Sequence, residues 1–122
     1  MVKKIVTLQY ILRLQMERSR YIEQIKNVVN KTVPNAEVIL YGSEARGDAR
    51  VDSDIDLLIL IDKENLTYNE IENITNPLYE LELQGNCSVN ISPQVYTRKQ
   101  WYDRPFRTPF FINVMNEGVK LQ

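Results

Sequence analysis

Histidine is missing from this sequence of 122 residues, and cysteine occurs once, at Cys87. Without histidine there is no Ser-His-Asp triad, no imidazole acid–base chemistry and no His-bearing zinc site. A lone cysteine closes no disulfide within the chain and builds no thiolate metal cluster. Cys87 therefore reads as a small packed residue, in a protein suited to a reducing cytoplasm. Long apolar runs are missing too. The opening MVKKIVTLQYILRLQ is basic and apolar, but Gln9 and Arg13 interrupt it and no small-residue cleavage site follows. It is neither a signal peptide nor a membrane span. No sign of charge dominates: 15 Lys and Arg stand against 16 Asp and Glu, for a net charge of −1. The basic residues are scattered rather than gathered into a stripe that would neutralise a nucleic-acid backbone. Nucleic acid is not expected as the main partner, and the protein is expected to be soluble and cytoplasmic.

What is present suits one domain with a real core. Residues 2–31 place apolar side chains at helical spacing, through Ile5, Leu8, Ile11 and Leu12, then Tyr21, Ile22, Ile25, Val28 and Val29. The stripe weakens between Gln15 and Arg20, so one long helix or two are compatible with it, and Pro34-Asn35 ends the region. Glu37 to Tyr41 reads as a strand stopped by Gly42, and Ile55 to Ile61 as a second strand covered on both faces. Thr67 and Glu70 form a capping box that opens a helix, with a kink or restart expected at Asn76-Pro77 and a stop at Gly85. Val89 to Tyr96 reads as a third strand, which Pro93 assigns to an edge or a bulge. Thr97 and Gln100 form another capping box, before a short helix carrying Trp101. Thr108-Pro109 starts a last helix, containing Phe110, Phe111, Val114 and Met115 as candidate core, and Gly118 ends it. The class is α/β or α+β, a small mixed sheet flanked by helices.

Residues 42–56, GSEARGDARVDSDID, hold the candidate chemistry. The loop from Gly42 to Gly47 has the glycine spacing of half a P-loop, without the Lys and Ser/Thr that would follow. Two residues apart on a strand, Asp54 and Asp56 would direct both carboxylates to one face. Such a pair repels itself unless a divalent cation lies between it and a triphosphate, and Mg²⁺ prefers those hard oxygen ligands. Gly42 would let the backbone approach phosphate, Ser43 would add a hydroxyl, and Arg46 would reach a phosphate as well. The alternative is an ordinary polar turn between two strands.

The stretch YGSEARGDARVDSDIDLLILID resembles the signature of the polymerase-β-like nucleotidyltransferases, in the group called minimal nucleotidyltransferases. The similarity runs from about Met16 to the end and takes in ISPQVYTRKQW and TPFFINVMNEG. Residues 1–15 lie outside it, as an N-terminal helical extension ahead of a domain at 16–122, and Met16 would make a natural domain start. The resemblance implies a polymerase-β-like nucleotidyltransferase core, with Gly42 and Ser43 holding the nucleoside triphosphate and Asp54 and Asp56 binding two Mg²⁺ ions. It implies transfer of a nucleoside monophosphate, AMP from ATP in the leading reading, to an acceptor hydroxyl with release of pyrophosphate.

The chain departs from the family at its third carboxylate. No Asp or Glu lies between Glu82 and Asp103, and Asn90 is nearest to the missing position. The second metal ion should then bind weakly. Members of this group are often encoded beside a helical HEPN-type ribonuclease toxin, and some adenylylate a tyrosine on it. An antitoxin-like protein adenylyltransferase acting on such a partner is the expected function. The rival is a catalytically degenerate binding module of the same fold that neutralises its partner by covering it. The long first helix and the apolar last one are candidate contact faces, for a partner or for a homodimer.

Overall fold

The computed structural model of the chain describes residues 2–50, 52–84 and 89–122. The long apolar stripe forms one unbroken helix, α1 (Val2–Thr32). Tyr21, Ile25 and Val29 on its second half are buried, whereas Leu8, Leu12 and Met16 on its first half are exposed. Length explains the division. A helix of 31 residues is about 46 Å long, while strands of 5–7 residues reach only about 17–24 Å. The side chains of Ile5 and Ile11 lie outside the described residues.

Strand β1 (Glu37–Tyr41) leads into Gly42. Beyond it the structure corrects the expected loop: Ser43–Arg46 winds into a helical turn, α2. Glu, Ala and Arg favour helix, and Gly47 closes the turn in the left-handed conformation (φ 81°), its N–H donating to the Glu44 carbonyl. Strand β2 (Ile55–Ile61) follows. The capping box at Thr67 and Glu70 forms as read, with both reciprocal bonds present, and opens α3 (Tyr68–Gln84). Pro77 neither ends nor restarts this helix. Its ring removes a single backbone donor, and the buried Ile74 and Leu78 on either side hold the helix in place. Gly85, expected to stop it, and Cys87 lie outside the described residues.

Strand β3 (Ile91–Thr97) begins later than expected, because pairing with β2 opens at Ile55↔Ile91. It is an edge strand, where Pro93 is tolerated. Buried Thr97 ends β3 and caps α4 (Arg98–Tyr102) through the box with Gln100. Thr108 caps α5 (Pro109–Glu117) by accepting from the Phe111 N–H. Of the last helix's apolar residues, Phe111 and Val114 are core, whereas Phe110 and Met115 stay partly exposed. After Gly118 comes β4 (Val119–Lys120), unforeseen from sequence, which adds antiparallel to β1.

The four strands form one sheet ordered β3-β2-β1-β4, with β2 parallel to β3 and antiparallel to β1. Helices cover both faces. Tyr21, Ile25, Val29, Ile74 and Leu78 pack with Val38, Leu40, Leu57 and Ile59 on one side. Trp101, Phe111 and Val114 pack with Ile39, Leu58 and Leu60 on the other. Strand side chains alternate between faces, so Asp56 shares the α4/α5 face with Leu58 and Leu60. Among the described residues no helix is long and apolar enough to cross a membrane.

Candidate active site

Antiparallel pairing of β1 with β2 sets Tyr41 opposite Asp56. Gly42 therefore leaves β1 where the Asp-x-Asp stretch enters β2. Gly42 has φ 78° and ψ −154°, a conformation that side chains disfavour. A methyl group added there would collide with Asp56 Oδ2. The two halves of the sequence signature are thus in contact, with a carboxylate laid against bare backbone.

Asp54 is not on the strand as expected, because β2 begins at Ile55 and Asp54 is exposed just before it. Its charge still reaches Asp56. Burial chiefly, then the Asp54 carboxylate, raises the Asp56 pKa above the usual carboxylate value, against a lowering by Arg46. The Tyr41 hydroxyl is pushed up to about 12, first by burial and then by Asp56 and Tyr96. It stays protonated at neutral pH and can only act as a hydrogen-bonding phenol there.

A residue distant in sequence holds this loop. Arg18 of α1 is 7% exposed. Its Nε pairs with Glu44 in α2, and its Nη2 donates to the Ser53 carbonyl at 2.7 Å and the Asp54 carbonyl at 3.5 Å. One guanidinium thereby ties the phosphate-type turn and the approach to the carboxylates to the same helix. The signal was present, since Arg18 lies on the helical stripe of Tyr21, Ile25 and Val29, where a charge implies a buried partner.

The other candidates divide. Ser43, half-buried, opens α2 immediately after Gly42. Arg46 is exposed and bonds Asp48 at 3.3 Å and Glu117 of α5 at 3.5 Å. Asn90 accepts the Ile55 N–H at 2.9 Å through its backbone carbonyl. By the parallel register, Ile91 stands level with Ile55, and Ser92 with Asp56. Among the described residues no group of three or more His, Cys, Asp or Glu side chains could hold a metal. Two mutually repelling carboxylates, both hard oxygen donors, do fit a single Mg²⁺-type cation shared with a ligand's oxygens.

The family described as "Nucleotidyltransferase domain" matches residues 22–107. A Methanocaldococcus jannaschii protein named "Putative protein adenylyltransferase MJ0141" is 32% identical over 108 residues, covering 87% of this chain and 100% of that protein.

Two outcomes test the site's construction. Arg18→Met leaves the partly buried Glu44 without its cation and should cost about 1–3 kcal/mol in urea denaturation. Adding Glu44→Met should recover part of that loss, and an unchanged midpoint for the single variant would show that the pair does not anchor the loop. The second outcome is a pH profile. Since folding raises the Asp56 pKa, the unfolded chain ionises first, and stability falls as pH rises toward the folded value. Asp56→Asn should therefore melt higher than the wild type at neutral pH, with the gain vanishing below about pH 4. A gain that persists in acid would contradict a strained carboxylate.

Proposed function

This chain belongs to the nucleotidyltransferase domain family, and we propose that it transfers AMP from Mg-ATP to a hydroxyl on a partner protein. The observation that carries this reading is the contact of the Gly42 backbone with the Asp56 carboxylate. It supports a triphosphate lying at the turn while Asp54 and Asp56 hold a divalent cation beside it. When bound, that cation supplies positive charge against the phosphates. A second ion, without a third acid to hold it, binds weakly. The chain's own contributions are positional. Gly42 lets the Asp56 carboxylate lie against the backbone at the turn, Ser43 offers its hydroxyl, and the first amides of a helical turn have no acceptor within it. In the transfer, the acceptor oxygen bonds to the α-phosphorus and the bond to the bridging oxygen breaks. Pyrophosphate departs, and the acceptor's proton passes to Asp54, Asp56 or water.

The name of the Methanocaldococcus relative supports a protein acceptor, and the group resemblance favours a helical HEPN-type toxin. The first half of α1, with Leu8, Leu12 and Met16 exposed, is the face we assign to that partner, in keeping with residues 1–15 as an extension of a domain at 16–122. One observation favours a second reading, the degenerate binding module: the residue whose carbonyl accepts the Ile55 N–H beside the Asp pair is an amide, Asn90, and an amide neither balances metal charge nor accepts a proton.

With ATP labelled at the α-phosphate, label should pass to the protein encoded beside this one, and Asp56→Asn or EDTA should stop it. Transfer that survives Asp56→Asn removes the proposed metal site, and tight partner binding indifferent to Mg²⁺ and to Asp54→Asn selects the module. Asn90→Asp should raise Mg²⁺ affinity and turnover together; no change in either would mean that Asn90 does not occupy the third position.

A further inference from the structure

A cleft of about 350 Å³ opens beside Gly42, between the end of β1, α2 and α5. Tyr41 and Phe110 supply its aromatic wall, with ring centroids 5.4 Å apart at 80°. Trp101 backs Phe110 at 5.7 Å, so the wall is a supported surface rather than a loose ring. Phe110 is 39% exposed, leaving part of its ring open to a ligand. From α5, Asn113 and Glu117 line the same cleft one helical turn apart. Arg46 also lines it, reaching Glu117 on α5 at 3.5 Å and Asp48 in the turn at 3.3 Å.

Gly42 belongs both to this cleft and to the Asp56 contact. A ligand whose phosphates lie at the turn thus has an aromatic-walled space immediately adjoining. We propose that this cleft seats the nucleoside half of the nucleoside triphosphate. The base lies against Phe110 and Tyr41, and Asn113 reads its edge with one amide donor and one acceptor. Glu117 accepts from a ribose hydroxyl, the task that acids perform for ribose in dinucleotide sites. This assignment rests on the triphosphate lying at Gly42-Ser43 as proposed above. Nothing in that reading requires α5, which makes the two separable.

Calorimetry in Mg²⁺ with the full chain, using ATP and inorganic tripolyphosphate as probes, separates them. Removing the ring in Phe110→Ala should weaken ATP about tenfold, the usual scale of base stacking on an aromatic side chain. Asn113→Ala, on an exposed helical position that should fold normally, should weaken ATP severalfold. Both variants should bind tripolyphosphate as the wild type does. Ser43→Ala should weaken both probes. Unchanged ATP affinity in Phe110→Ala and Asn113→Ala overturns the nucleoside assignment and leaves the turn intact. A raised KM for the acceptor alone would instead make the cleft the acceptor's. If neither probe binds the wild type, the proposed function falls and this assignment with it.

Discussion

Arg18 is the residue through which the fold governs its site. Tyr21, Ile25 and Val29 fix the second half of α1 on the sheet, so the guanidinium one turn earlier has little freedom. From that position it engages Glu44 and the carbonyls of Ser53 and Asp54, and so constrains both ends of the excursion between Gly42 and Asp56. A buried ion pair is a weak source of net stability, because desolvation offsets most of the attraction. Its value here is selective. Any other path for this loop gives up the Glu44 pair and the Ser53 and Asp54 carbonyl contacts together, so alternative placements of the carboxylates are disfavoured.

What Arg18 holds is a site working against itself. Asp56 is partly buried, stands in the field of Asp54 and leaves no space for a side chain at Gly42. Each feature opposes folding, and the core strand makes them tolerable. Leu57, Leu58, Ile59 and Leu60 are fully buried between two layers of helices, so β2 is held in register by far more apolar contact than the repulsion at its first turn can disturb. Functional strain of this kind persists where the surroundings over-determine the backbone. A carboxylate placed at the entry of the best-covered strand meets that condition.

The parts legible in the sequence are those whose signals are local. Threonine caps at Thr67, Thr97 and Thr108 are read within four residues, and all three form. The Gly-Ser and Asp-x-Asp elements were legible for the same reason, although the structure moves Asp54 off the strand. Other features failed for identifiable causes. Glycine on either side of Ser43–Arg46 reads as a loop and conceals a helical turn. β4 has two residues, too few to show any period, and exists because β1 offers it an open edge. Pro77 does not restart α3, which runs through it as one helix. Arg18 and Glu44 are 26 positions apart, and no local pattern joins them. Asn113 and Glu117 enter the cleft only because α5 returns across the sheet.

Charge placement bears on how the proposed site takes a nucleotide. Two cations at the turn are paired with carboxylates: Arg18 with Glu44, and Arg46 with Asp48 and Glu117. A bare triphosphate approaching Gly42 would meet the charges of Asp54 and Asp56. A metal ion alone finds two carboxylates and no third. Each ligand supplies what the other lacks, the metal neutralising the phosphates and the phosphates completing the metal's oxygen shell. Thermodynamic linkage then requires each to raise the affinity of the other by the same factor. Were Asn90 to stand at the third position of the proposed site, an amide there would make the protein's share of the metal's ligands smaller and that mutual dependence stronger.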